Sequence, residues 1–168
     1  LKSLTVGSRV FYPGHGVASV AAIEERELGG GVQKFYVLAL ELDPGVKLFL
    51  PVDKVDQAAV RELVSAAKAR QLLKMLAEEV EPAEVKTDPS SRKLRATSYS
   101  DGLRSGSPER YTEILRDLLA RSRAGKLAPS EQQTLTLALD MFVGEVSASL
   151  ERPPDEVRAE VAKVTAAA

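Results

Sequence analysis

The stretch Phe11-Tyr12-Pro13-Gly14-His15-Gly16 gathers two aromatics, a proline, two glycines and the only histidine of the chain. A Gly-x-Gly pair beside a histidine is a grouping that can cradle a phosphate or move a proton. For either task it is incomplete. A dinucleotide loop needs a third glycine and a following helix, whereas the residues that follow here, Val17–Ile23, are a short apolar run with strand character. No Gly-x-x-x-x-Gly-Lys-Ser/Thr phosphate loop occurs anywhere. A catalytic or metal-bound histidine needs partners at defined spacing, and His15 has none nearby, so it reads as a turn or packing residue. Ser105 and Ser107 have no other histidine to activate them. The carboxylates fall mainly on helical stretches among basic neighbours and read as solvated helix faces. No catalytic residue, metal-ligand set or cofactor site emerges, and the sequence reads as non-enzymatic. Pro13 restrains the chain and Gly14 and Gly16 permit a tight reversal, so the stretch is expected to be a turn between two strands of a small barrel.

The elements that would position this turn change character along the chain. Arg9–Tyr12, Val17–Ile23, Gln33–Leu42 and Val46–Leu50 read as short strands. Gly29-Gly30-Gly31 forms a hairpin tip, Asp43-Pro44-Gly45 a turn, and Pro51 closes the series. After Pro51 the spacing becomes helical. Ala58–Ala77 carries Val60, Leu63, Val64, Ala67, Leu72, Leu73 and Leu76 near helical positions. Glu81–Ser91, with Pro82 and Pro89, reads as a linker. Ser107-Pro108-Glu109 opens a helix by capping, proline geometry and dipole charge, and Tyr111, Ile114, Leu115, Leu118 and Leu119 line one face of it. Gly125 ends that helix and Pro129 opens another, with Leu135, Leu139, Phe142, Val146 and Leu150 facing inward. Arg152-Pro153-Pro154 breaks the chain before a last helix over Asp155–Ala167. The fold class expected is α+β in two domains: a small β-barrel over residues 1–58 and an all-α domain over residues 59–168.

Composition narrows the setting. The 168 residues include no cysteine, which excludes a disulfide framework, thiolate metal sites and a cysteine nucleophile. No apolar run reaches the roughly 18 residues of a membrane span, and no signal peptide is visible, so no membrane partner and a cytoplasmic location are expected. The chain opens on Leu1 without methionine, as a fragment of a longer protein would. The net charge of −1 conceals a basic segment over residues 86–126, which holds ten basic and five acidic groups, +5 against −6 for the rest. Such a segment suits an anionic partner, nucleic acid first; interleaved charges on a solvated helix surface are the other reading.

One resemblance covers nearly the whole chain. The run Val6-Gly7-Ser8-Arg9-Val10-Phe11-Tyr12-Pro13-Gly14-His15-Gly16-Val17 is followed by Ile23-Glu24, Phe35-Tyr36-Val37-Leu38, Leu50-Pro51-Val52 and Ala59-Val60-Arg61-Glu62-Leu63-Val64. Further on come Arg92-Lys93, Glu113-Ile114-Leu115-Arg116-Asp117-Leu118 and Phe142-Val143-Gly144-Glu145-Val146. Together they resemble the CarD/CdnL family of bacterial transcription regulators, which shares the polymerase-interacting module of the transcription–repair coupling factor.

The resemblance implies a Tudor/SH3-like barrel that binds the β subunit of RNA polymerase by adding a strand at an exposed sheet edge. Val46, Lys47, Leu48 and Phe49 would form that edge, with Arg26 as a second basic contact. Phe49 stands where the family often has a basic residue; it either buries apolar surface on the polymerase or belongs to the core. The resemblance also implies a helical domain that contacts promoter DNA, through Lys86, Arg92, Lys93 and Arg95. Many members place a tryptophan before a Ser-Arg-Arg-like run and wedge it into the minor groove. Here Ser90 precedes Ser91-Arg92-Lys93 and the chain has no tryptophan, so weak, phosphate-borne DNA contact is expected. The expected function is a transcription regulator docked on polymerase, its helical domain touching promoter DNA or another regulatory protein. The alternative is a pure protein–protein adaptor.

Overall fold

A computed structural model describes residues 4–78, 88–125 and 127–166. Five strands come first: β1 (Arg9–Tyr12), β2 (Gly16–Leu28), β3 (Gly31–Leu40), β4 (Lys47–Pro51) and β5 (Arg61–Glu62), with a short 3-10 turn over Val52–Lys54. Five helices follow: α1 (Ala66–Ala77), α2 (Pro89–Arg104), α3 (Pro108–Arg123), α4 (Pro129–Leu150) and α5 (Pro154–Ala166). The strands make one antiparallel sheet in the order β4-β3-β2-β1-β5. The two-domain α+β class expected from the sequence is the one observed.

Local chemistry explains the connections. The β1–β2 hairpin turns through Pro13–His15, with the His15 amide donating to the Tyr12 carbonyl at 2.9 Å. Gly14 and Gly16 take φ of +77° and +79°, values that an L side chain rarely tolerates. The β2–β3 hairpin turns on Gly29 and Gly30, both at positive φ, as the twist of a two-residue hairpin requires. A register shift between Val20 and Ala22 inserts one residue into β2, and such a bulge bends the strand and strengthens its twist. Val10, Ala18, Val20, Tyr36, Leu38, Leu40 and Leu50 then pack as the barrel core.

The helices begin where side chains cap them. Ser65, Asp88 and Ser107 each accept an amide from the third residue on, at 3.0–3.2 Å. At α4 the Glu131 carboxylate takes the Ala128 amide at 3.0 Å. The helical core runs through Leu72, Leu76, Tyr111, Ile114, Leu115, Leu118, Met141, Phe142 and Val146.

Three expectations need correction. Residues 61–62 are strand β5, paired with Val10 and Phe11, and α1 starts only at Ala66. A two-residue strand has no periodicity to read, and Leu63 and Val64 pack on the helical core, which imitates helical spacing. A cut after residue 58 therefore removes β5 from the sheet. Second, α2 is absent from the sequence reading: within the expected linker Glu81–Ser91, Asp88 caps this helix and Pro89–Ser91 are its first turn, and residues 81–87 lie outside the described residues. Only Tyr99, Gly102 and Leu103 of α2 are buried, too few to mark a stripe, although Asp88-Pro89 carries the same cap-plus-proline signal as Ser107-Pro108. Third, the carboxylates are not all solvated, since Glu131 and Glu145 are buried.

The sheet and the helices meet across a tight seam. Phe11 projects from β1 into the helical core with 0% exposure and stacks on Tyr111 at 5.5 Å between ring centroids. A methyl group at Gly106 would lie 3.0 Å from Pro13 Cγ, and one at Gly16 would be in contact with Met141 Cα at 3.7 Å. The Phe-Tyr-Pro-Gly-His-Gly stretch is thus a turn, as expected, and also the surface that the helices grip.

Candidate functional site

Two regions collect the residues singled out by sequence. The first is the β4 edge. Of the two end strands of the sheet, β5 is tied to the helical part by the side chain of Arg61, which donates to the Gly106 carbonyl at 2.6 Å and to Glu145. β4 pairs with β3 alone, so its outer side is available for pairing with another strand. Alternation along β4 turns Lys47 and Phe49 outward and Leu48 and Leu50 toward the barrel core. Val46 precedes the strand, and its amide donates to the Asp43 carbonyl at 2.9 Å.

Arg26 reaches this face from β2. Its guanidinium lies 3.7 Å from the centroid of the Phe49 ring and is tied to Glu24 at 3.0 Å. Phe49 keeps 41% of its surface exposed, so it is a surface residue of the edge rather than core. An exposed aromatic held by a cation is a rigid apolar platform beside unpaired backbone. Structure thus brings Arg26, Lys47 and Phe49 together and sets Leu48 apart, inside.

The second region is the start of α2. Arg92 and Lys93 are exposed in its opening turns, with no side-chain partner among the described residues. Lys86 lies outside the described residues. Arg95 turns inward instead: its Nε donates to Glu131 Oε1 at 3.0 Å. Arg121, 2% exposed, shares that oxygen at 2.9 Å. Burial pushes the Glu131 carboxyl up, but the Ala128 amide and the two arginines outweigh it, and its pKa is held below the ordinary value. Tyr99 donates its hydroxyl to Asp117, and burial followed by that bond raises its pKa. Asp88, the cap of α2, is held low by its bonds to Ser91.

Much of the basic segment is consumed in this way. Arg110 pairs with Glu113, Arg116 with Glu78, and Arg95 and Arg121 with Glu131, while Arg123 donates to the Thr165 carbonyl. Arg92, Lys93 and Arg104 remain as cations without such a partner among the described residues. Sequence reasoning missed Leu94, the large apolar side chain with the highest exposure, 72%, among the described residues. It stands beside Arg92 and Lys93, and its signal was an isolated leucine in a polar run.

His15 is exposed with its ring 5.0 Å from that of Tyr12. No group of three or more potential metal ligands occurs among the described residues. No helix among them is long and apolar enough to cross a membrane.

Comparison with known proteins matches this division. Residues 4–64 match the CarD-like/TRCF RID domain, an RNA-polymerase-interacting module, and residues 71–162 match the CarD C-terminal domain. The first match extends past β5, in keeping with a sheet that needs Arg61–Glu62. A Bacillus subtilis (strain 168) protein named "Putative transcription factor YdeB" is 22% identical over 145 residues, covering 84% of this chain and 88% of its own length. The matched families are regulatory rather than enzymatic, with a transcription-related, polymerase-interacting role. With a free-edged sheet and a helical bundle each matched in order along the same chain, the protein belongs to the CarD-like family of bacterial transcription regulators.

Proposed function

We propose that the protein docks on the β subunit of RNA polymerase through the β4 edge and presents the start of α2 to promoter DNA. The observation that carries the reading is the difference between the two end strands: Arg61 ties β5 to the protein's own helical part, and β4 pairs with β3 alone. A partner strand laid on β4 gains backbone hydrogen bonds, and Phe49, Arg26 and Lys47 supply side-chain contact along it. At the other region, Arg92 and Lys93 approach phosphates at the positive end of a helix, and Leu94 offers the apolar surface that a serine at position 90 does not.

The test uses the whole chain, because the sheet is incomplete without Arg61–Glu62. Binding to purified β subunit is measured for the wild type, Arg26→Glu, Lys47→Glu and Phe49→Ala. Unchanged affinity in all three folded variants would refute edge docking. A second reading, a protein–protein adaptor without DNA contact, is favoured by how many arginines are engaged in internal ion pairs. Salt titration on duplex DNA separates the two, since phosphate contact has a slope of about one unit per cation and the adaptor has no binding at any salt.

A further inference from the structure

Arg61 and Glu145 belong to separate stretches of the family-like pattern, 84 residues apart, and neither faces the β4 edge or the start of α2. Glu145 is completely buried on α4. Its Oε1 accepts Arg61 Nη1 at 2.5 Å and the Val64 amide at 3.0 Å; its Oε2 accepts Arg61 Nη2 at 2.9 Å and the Tyr111 hydroxyl at 2.6 Å. Four donors fill the acceptor sites of one carboxylate. The Arg61 guanidinium lies 4.2 Å from the centroid of Phe11, and two further donors hold the Gly106 and Glu62 carbonyls. Strands β1 and β5, the approach to α1, the α2–α3 turn, α3 and α4 all converge there.

Beside this junction the seam has apolar contact and the approach of Gly16 and Gly106 to their neighbours. Apolar adhesion is non-directional and would tolerate a rotated or slid arrangement. A buried carboxylate with four donors does not, because any rotation strands it or the guanidinium without partners. Adhesion and angle are therefore set by different groups.

We propose that Glu145, acting through Arg61, is a positioning residue that fixes the angle between the β4 edge and the start of α2 and thereby couples polymerase binding to DNA binding. The proposal rests on the two-contact reading above. With both surfaces on one rigid frame, the second contact forms at a high effective concentration and without ordering cost. A loosened frame keeps each contact but loses that advantage.

The chain has no cysteine, so Glu27→Cys on β2 and Thr97→Cys on α2, both exposed positions, take two spin labels specifically. Pulsed electron resonance on the labelled full chain should show one narrow distance distribution, broadened by Glu145→Gln and by Arg61→Lys, the second variant keeping the cation but not the paired geometry. Affinity for β subunit alone and for DNA alone should stay within about twofold, while affinity for the polymerase–promoter complex falls by roughly tenfold or more. If Glu145→Gln does not fold, Arg61→Lys carries the comparison. A distribution that stays narrow in the folded variants overturns the positioning role. A broadened distribution with unchanged affinity for the complex overturns the coupling. Failure of the wild type to bind either partner alone overturns the underlying two-contact reading, and the distance widths keep that failure distinct from a failure of Glu145 to hold the angle.

Discussion

Phe11→Ala should destabilise the sheet and the helices together. Phe11 sits on β1, yet it is 0% exposed within the helical core, with Tyr111 stacked on it and Arg61 over its ring at 4.2 Å. Truncating a buried phenylalanine costs about 3–5 kcal/mol. Within that sum, the aromatic pair accounts for about 0.5–1.5 kcal/mol and the desolvated cation–π contact for up to about 2 kcal/mol. Phe11→Leu retains most of the apolar volume and loses chiefly these two contributions, so about 1–3 kcal/mol is expected of it. For a chain of 168 residues, each kcal/mol moves the melting temperature by roughly 2–4 °C. The alanine variant should then melt roughly 6–20 °C lower. Urea unfolding followed by helical circular dichroism and by amide resonances of β2 and β3 provides separate probes of the two parts. Both should shift, in the order wild type, leucine, alanine. A loss below about 1 kcal/mol for Phe11→Ala, or a shift confined to the sheet resonances, would refute the claim that this side chain joins the two parts.

Three further outcomes follow from other residues. Phe49→Ala should weaken β-subunit binding more than Lys47→Ala does, because the ring is an apolar platform under the Arg26 cation and the lysine an exposed charge; surface plasmon resonance ranks them, and equal effects would count against the platform. Glu151 ends α4 at φ +52°, a left-handed conformation that favours glycine, so Glu151→Gly should stabilise by about 0.5–1 kcal/mol in thermal melts. Glu131 has a folded-state pKa below its unfolded value, so its contribution is full above the ordinary carboxylate range near about 4.3 and fades as pH falls through the lowered value. The difference in urea midpoint between wild type and Glu131→Gln should therefore be large at pH 7 and shrink toward pH 3; a constant difference would be the contrary result.

Much of this protein was legible in one dimension. Short strands between glycine and proline turns followed by amphipathic helices with Ser-Pro and Pro starts are local signals, because turn geometry, capping and one-sided burial act over a few residues. They yielded the α+β order, the hairpin at Gly29-Gly30, the start of α3 at Ser107 and the last two helices within a residue or so. The family pattern added the expectation of a docking edge at the β4 stretch. What local signals could not supply was any pairing across a distance. Whether Phe49 was core or surface depended on which strand ended the sheet. The carboxylate that engages Arg95 is Glu131, 36 residues away. Side-chain pairing leaves few unpartnered cations among the described residues of the +5 segment, because charge is counted along the chain but neutralised in space. Phe11 stood in sequence as a residue of the first strand, and Arg61 and Glu145 stood only in two separate stretches of the family pattern. Only the packing of β1 and β5 against α3 and α4 made them one buried junction, since a carboxylate survives without water only where the fold brings enough donors to it.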